Sequence, residues 1–230
     1  MKTAIDPVEL TRTLVAFNTI NPPGNERDCA EHLGALLEAG GFDISYHEFE
    51  GRRTSLVARM GGSPDKKPLC FTGHIDTVPL GIASWSVDPF AGEISEGKLY
   101  GRGSTDMKSG VAAFVVALLE LGETLTDGPG VVLVITAGEE TGCEGAYHLA
   151  GLGNVLGKAG AIVVAEPTYN QPLIGHKGAI WLKARTTGVT AHGSMPEKGR
   201  TRSTRQPAPS PSLRILISTS PATRFWADRP

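Results

Sequence analysis

Short apolar runs alternate along the chain with longer segments in which apolar residues recur at helical spacing. The short runs predict buried strands, and the longer segments predict amphipathic helices. The predicted helices cover residues 6–18, 26–39, 107–121 and 142–152. The predicted strands cover residues 42–49, 54–60, 69–72, 131–137, 161–165, 172–175 and 179–187, with a small hairpin at 91–100. This alternation over the first 165 residues predicts an α/β fold around a mixed sheet.

Three of the predicted strands are followed directly by acidic residues or a histidine. In chain order these residues are His74, Asp76, Glu139, Glu140 and Glu166. In open α/β sheets the carboxyl ends of the strands form the rim where sites are built. Carboxylates gathered and buried there are costly unless they have partners, and a cation is the partner that holds like charges together. The sequence therefore predicts a metal site at this rim.

Two residues at the end of the first of these strands are spaced as a metal ligand and a residue that orients it. His74 and Asp76 are two positions apart, so on an extended segment their side chains point the same way. One can ligate a cation while the other accepts the spare imidazole N–H. Asp106 stands directly before the predicted helix at 107–121, where the positive helix end favours a carboxylate. A lone histidine and aspartate are more often surface residues, so the prediction depends on all the strand ends together.

Four motifs make the resemblance to a known family specific. They are Gly-His-Ile-Asp-Thr-Val-Pro at 73–79, Tyr-Gly-Arg-Gly-Ser-Thr-Asp-Met-Lys-Ser-Gly at 100–110, Gly-Glu-Glu at 138–140 and Glu-Pro-Thr at 166–168. In order and spacing the chain resembles, up to about Gly199, the di-zinc amidohydrolases that include acetylornithine deacetylase, succinyl-diaminopimelate desuccinylase, aminoacylase and glutamate carboxypeptidase. The resemblance implies a three-layer α/β catalytic domain with a mixed, mainly parallel sheet. The start of an α+β lid or dimerisation domain would follow it.

The resemblance also implies a role for each residue at the strand ends. The metals would be two Zn²⁺ ions, or Co²⁺ or Mn²⁺, which suit imidazole and carboxylate ligands. His74 and Glu166 would bind one ion and Glu140 the other, with Asp106 bridging both. Glu139 would be the general base that takes a proton from water and passes it to the leaving amine. The alternative for Glu139 is a carboxylate that only stabilises a helix N-terminus.

Two further residues receive roles by resemblance. Asp76 would support His74. His192, in the motif Thr-Ala-His-Gly-Ser-Met-Pro at 190–196, resembles a lid-domain histidine that reaches across a homodimer and steadies the developing oxyanion. Outside this context His192 would be interpreted as a surface loop histidine. The implied substrates are N-acyl amino acids or small peptides.

Composition and charge exclude several classes of protein. With 230 residues, 40% of them hydrophobic, the chain can bury a substantial core. It has no apolar run long enough for a membrane span, and its N-terminus does not resemble a signal peptide. The cysteines Cys29, Cys70 and Cys143 lack zinc-finger spacing, which favours a cytoplasmic protein. Although the C-terminal tail is basic, the rest is acidic, so we expect neither a nucleic-acid nor a membrane partner.

The sequence divides into three segments. Residues 1–175 are predicted to form the first part of the catalytic domain and 176–199 the start of the lid. Residues 200–230 are rich in Arg, Pro and Ser and contain no Gly. We interpret this tail as irregular and out of frame; an Arg/Pro/Ser interaction segment is the alternative.

The tail affects the functional prediction. The family's last metal-ligating histidine lies in a later segment, and no histidine follows His192 in this chain. Two hypotheses follow from this departure. The first is a metal-dependent amide hydrolase, and the second is a truncated, catalytically impaired fragment of one, with dimerisation in doubt.

Overall fold

The computed structural model describes residues 5–63, 65–178 and 194–195. The chain divides into two units, Met1–Ile174 and Gly175–Pro230, and the elements below belong to the first. The helices are α1 (Pro7–Ala16), α2 (Arg27–Ala39), α3 (Ser109–Leu121) and α4 (Glu144–Gly151). The strands are β1 (Asp43–Glu50), β2 (Arg53–Met60), β3 (Leu69–His74), β4 (Glu93–Ser95), β5 (Lys98–Tyr100), β6 (Val131–Thr136) and β7 (Ala161–Val164). No helix in these ranges is both long and apolar enough to cross a membrane.

The larger sheet is mixed and has the order β1-β2-β6-β3-β7. Strand β3 runs parallel to β6 and β7, whereas β2 is antiparallel to β1 and β6. The short strands β4 and β5 pair as the predicted hairpin. The parallel trio β6-β3-β7 brings three carboxyl ends to one rim. The predicted α/β fold with a mixed sheet is confirmed.

Strand β6 shows why the sheet carries helices on both faces. All of its residues are buried. Val131, Leu133 and Ile135 pack in a core with residues of α1, α2 and α3, whereas Val132 and Val134 pack with Leu149 of α4. Alternating residues of one apolar run therefore fill two cores, which is typical of a strand covered on both faces.

The long helix begins later than the sequence predicted. The prediction placed its start at Met107, directly after Asp106, but α3 begins at Ser109. Asp106 and Met107 have non-helical backbone angles, with φ of −116° and −134°. Met107 is buried against Gly73, where an added Cβ would lie 2.6 Å from the Met107 Cε. The non-helical turn lets Met107 fill the core while the Asp106 side chain stays at the rim.

Two further predicted strands lie beyond β7. Residues 172–175 were predicted to form a strand and do not, and Leu173 and Ile174 are exposed. Their apolar character therefore does not reflect packing within the described residues. The predicted strand at 179–187 lies outside the described residues, as do His192 and the tail at 200–230.

Lys108 links the turn after Asp106 to the end of α1. Its side chain is buried, and its Nζ donates to the carbonyl oxygens of Leu14 and Phe17, each at 2.9 Å. These carbonyls lie at the negative end of α1, where a cation is favourable. The Lys108→Met variant is expected to lose about 3 kcal/mol of unfolding free energy, because the carbonyls of Leu14 and Phe17 each lose a charged donor and the Leu14 carbonyl keeps the Phe17 N–H at 3.2 Å.

Urea unfolding followed by circular dichroism measures this loss. Lys98→Met, at an exposed position of β5, is the matched control and should leave the free energy of unfolding almost unchanged. Equal free energies of unfolding for the Lys108→Met and control variants would show that the buried ammonium does not stabilise the fold.

Candidate metal centre

His74 lies at the centre of a cluster of carboxylates on the rim of the sheet. It is the last residue of β3 and is only 2% exposed. Its Nε2 lies 3.2 Å from Asp106 Oδ1, 3.8 Å from Glu166 Oε1 and 3.9 Å from Glu139 Oε2. Donor atoms of His74, Asp106 and Glu140 all lie within 4.8 Å of one another. The structure thus brings Asp106 together with the residues that the sequence placed at three strand ends.

The other side of the His74 ring faces Asp76. The His74 Nδ1 lies 3.0 Å from the Asp76 backbone carbonyl oxygen and 3.4 Å from the Asp76 Oδ1. The Asp76 carboxylate is fully buried and also accepts the backbone N–H groups of Glu139 at 3.0 Å and Glu140 at 3.1 Å. Asp76 therefore links the imidazole orientation to the turn that carries both glutamates.

The glutamates of the cluster come from two places in the backbone. Glu139 and Glu140 lie in the turn between β6 and α4, closed by the Glu144 N–H donating to the Gly138 carbonyl at 2.8 Å. Gly138 has a φ of 71°, a left-handed conformation that favours glycine. Glu166 is the second residue after β7 and follows Ala165, whose N–H donates to the Thr72 carbonyl at 3.3 Å.

The electrostatics of the ring show how strongly the cluster attracts positive charge. Burial alone would lower the pKa of His74. The hydrogen bonds with Asp106 and Asp76, together with the charge on Glu166, outweigh burial and raise the pKa of His74 to about 11. His74 in turn lowers the pKa of the Asp106 carboxyl. A proton on the imidazole thus offsets part of the surrounding negative charge.

The remaining carboxylates repel one another. Burial and then the charges on Asp106, Asp76 and Glu139 raise the pKa of Glu140 to about 7, against the opposing effect of His74. Burial, Asp106 and Glu139 raise the pKa of Glu166. One imidazole nitrogen with several carboxylate oxygens is a donor set that zinc and similar divalent cations accept. The residues present therefore fit a divalent cation.

Sequence reasoning missed the polar residues behind these groups. The Asn21 Nδ2 donates to Asp76 Oδ2 and to Thr141 Oγ1, each at 2.9 Å. Asn21 lies in an Asn-Pro-Pro-Gly segment that the sequence marks only as a turn. The position of Cys143 in the sequence predicts neither a ligand role nor a partner, but its Sγ lies 3.7 Å from Glu139 Oε1. The predicted His192 lies outside the described residues.

A second buried carboxylate lies behind the centre. Glu26 directly precedes α2, is fully buried, and neither of its carboxylate oxygens has a hydrogen-bond partner among the described residues. Burial first, and then the charge on Asp76, raise the pKa of Glu26 from 4.5 to about 7, although Arg53 opposes this. Between a pH of about 4.5 and about 7, Glu26 therefore keeps a proton in the folded state that it has lost in the unfolded chain.

This shift predicts a pH-dependent stability. The stabilisation from protonated Glu26 is complete below a pH of about 4.5 and is lost as the pH rises through about 7. At pH 8 the Glu26→Gln variant should therefore be more stable than the unaltered chain, by up to about 3 kcal/mol. At pH 4.5 most of the difference should be gone, because Glu26 is then neutral in the folded state and half protonated in the unfolded chain.

Urea unfolding at both pH values, in EDTA, measures this difference. Glu31→Gln, at an exposed position of the same helix, is the control and should show no pH-dependent difference. A Glu26→Gln variant that is no more stable at pH 8 than at pH 4.5, relative to the unaltered chain, would contradict the prediction.

Comparison with known proteins gives a consistent set of relatives. Residues 70–210 match the family model described as Peptidase family M20/M25/M40. Succinyl-diaminopimelate desuccinylase 2 of Ruegeria sp. (strain TM1040) is 41% identical over 205 residues, which cover 85% of this chain and 51% of that protein. Succinyl-diaminopimelate desuccinylase of Wolbachia sp. subsp. Brugia malayi (strain TRS) is 37% identical over 205 residues, 84% of this chain and 50% of that protein. The chain thus spans about half the length of these curated relatives.

Solved structures share the fold at lower identity. An M20 family metallo-carboxypeptidase, Sso-CP2 from Sulfolobus solfataricus, has a TM-score of 0.58 and 21% identity over 70% of this chain and 37% of that one. Human carnosine dipeptidase 1 has a TM-score of 0.57 and 23% identity over 69% of this chain and 38% of that one. At these identities the similarity shows a shared fold and nothing about activity.

Proposed function

Because the chain belongs to Peptidase family M20/M25/M40, we propose that residues 1–175 are the metal-binding part of a metal-dependent amide hydrolase. The observation that carries the proposal is the convergence of His74, Asp106, Glu140 and Glu166 at the carboxyl ends of the parallel strands. The proposed substrates are N-acyl amino acids or small peptides. The names of the curated relatives favour an N-succinyl amino acid among them.

The proposed cofactor is a pair of divalent cations, Zn²⁺ first and Co²⁺ or Mn²⁺ as alternatives. His74 and Glu166 would hold one cation and Glu140 the other, with Asp106 shared between them. The nearness of His74 Nε2 to Asp106 Oδ1 and Glu166 Oε1 supports a cation held by these three residues, and the separate place of Glu140 rests on the family resemblance. When bound, such cations polarise the amide carbonyl and lower the pKa of a water molecule.

Glu139 is proposed as the general acid–base. Its carboxylate lies beside the donor atoms, 3.9 Å from His74 Nε2, and its side chain is 39% exposed, so water and substrate can reach it. Its backbone N–H is held by Asp76. Glu139 would take a proton from water as the oxygen attacks the amide carbon, and would give it to the nitrogen as the C–N bond breaks. Asp76 would position His74 and this turn.

Other parts of the proposal depend on the motifs beyond the described unit. We propose that 176–199 begins a lid or dimerisation domain in which His192 reaches a partner's site within a homodimer. Residues 200–230 would be an irregular tail. The free cysteines Cys29, Cys70 and Cys143 favour a cytoplasmic location.

The experiment is a hydrolysis assay on the purified chain after EDTA treatment and reloading with Zn²⁺ or Co²⁺. N-succinyl amino acids, N-acetyl amino acids and dipeptides are the substrates, and release of the amine is measured. We expect metal-dependent release from at least one class. Metal binding without any release would favour the alternative of an impaired fragment, and absence of metal binding would contradict the proposal.

A further inference from the structure

A buried arginine lies directly behind the turn that carries Glu139 and Glu140. Arg53, the first residue of β2, has a side chain that is 7% exposed. An added Cβ on Gly138 would lie 2.6 Å from the Arg53 Nη2, so the guanidinium packs against the backbone of this turn. The guanidinium carbon also lies 4.8 Å from the centre of the Phe49 ring on β1.

Arg53 connects two carboxylates from different elements. Its Nη1 donates to Glu144 Oε2 at 2.7 Å, at the start of α4. Its Nε lies 3.9 Å from Glu26 Oε1, beside the start of α2. A planar guanidinium can face two carboxylates at once, which the compact ammonium of lysine does less well.

A chain of hydrogen bonds continues from Glu144 to the metal centre. Thr141 Oγ1 donates to Glu144 Oε2 at 2.7 Å and accepts from Asn21 Nδ2 at 2.9 Å. Asn21 also donates to Asp76, which accepts the N–H groups of the two site glutamates. The turn is therefore held from one side by Asp76 and from the other by the Arg53–Glu144 pair.

Stability alone does not explain this arrangement. The Nε and Nη2 of Arg53 have no hydrogen-bond partner among the described residues, and Glu26 is equally unsatisfied. A buried ion pair with incomplete hydrogen bonding contributes little to stability compared with apolar packing of the same volume. The guanidinium instead contacts both ends of the turn at 138–144, because it packs against Gly138 and donates to Glu144.

We propose that Arg53 is a positioning residue that, through Glu144, fixes the 138–144 turn so that Glu139 and Glu140 face the metal centre. This rests on the proposed function of those two glutamates. Arg53 acts through the turn and does not itself reach the reacting atoms.

The test compares Arg53→Met and Glu144→Gln with Arg52→Met. Arg52 is the matched control because it is adjacent, half-exposed, and bonded to Asn25 and Asp28 away from the site. The first measurement is amide hydrogen exchange on the metal-free chain. We expect the amides of Glu139 and Glu140 to exchange at least tenfold faster in both test variants. The amides of β6 should change less than twofold, and the control should match the unaltered chain.

The second measurement is a Co²⁺ titration followed by visible absorption. We expect the Kd for Co²⁺ to rise by about 10–100-fold in Arg53→Met, as is typical when a residue supporting metal ligands is lost. The absorption bands of bound Co²⁺ should also change, and Arg53→Lys should restore part of the affinity because it keeps a charge beside Glu144.

Each outcome decides the proposal. Unchanged exchange at Glu139 and Glu140 in the test variants would overturn it. If Arg53→Met also accelerates β6 exchange, it has unfolded the chain, and Glu144→Gln, whose side chain is 43% exposed, then decides alone. If the unaltered chain binds no Co²⁺, the proposed function is wrong, while the exchange measurement still decides the role of Arg53.

Discussion

Replacing His74 with alanine is expected to weaken divalent-cation binding by well over a hundredfold. The imidazole is the nitrogen donor shared by the cluster, since Asp106, Glu139 and Glu166 all approach its Nε2. Loss of a residue that only supports a ligand typically weakens binding 10–100-fold, so loss of the ligand should exceed this.

Calorimetric titration with Zn²⁺ and Co²⁺ measures the effect. His47→Ala is the matched control, because His47 lies on β1 and its Nε2 contacts only Ser45 among the hydrogen-bond partners described. The control should bind as tightly as the unaltered chain. If His74→Ala keeps a Kd within tenfold of the unaltered chain, His74 is not a ligand.

Replacing Glu139 with glutamine is expected to reduce kcat about 10²–10⁴-fold, the range typical for loss of a general acid–base. Glutamine keeps the size of the side chain and the backbone N–H bond to Asp76, but it cannot take a proton. Metal affinity should change less than about threefold, because Glu139 is not proposed as a ligand.

The rate is measured as metal-dependent amine release, and the affinity by Co²⁺ titration. Glu93→Gln, at an exposed position of β4, serves as the control and should leave both quantities unchanged. A fall in kcat of less than tenfold would remove Glu139 from the mechanism. A parallel loss of Co²⁺ binding would instead make it a ligand.

The sequence alone determined the family, the α/β class and the candidates for the metal centre. It could do so because these signals are local. An apolar run such as β6 is readable as a strand without knowing its partners, and Glu139 and Glu140 follow its end after two intervening residues. The carboxyl ends of parallel strands must then meet at one rim.

The support of the centre depends on contacts that form only in the folded chain. The start of α3 at Ser109 depends on Met107 packing against Gly73, and the place of Arg53 depends on Glu26 and Glu144. These partners are far apart in the chain and have no periodic pattern that joins them. A polar side chain is buried and hydrogen-bonded according to which groups the folded elements bring within a few ångströms of it. Its neighbours in the sequence do not specify those groups.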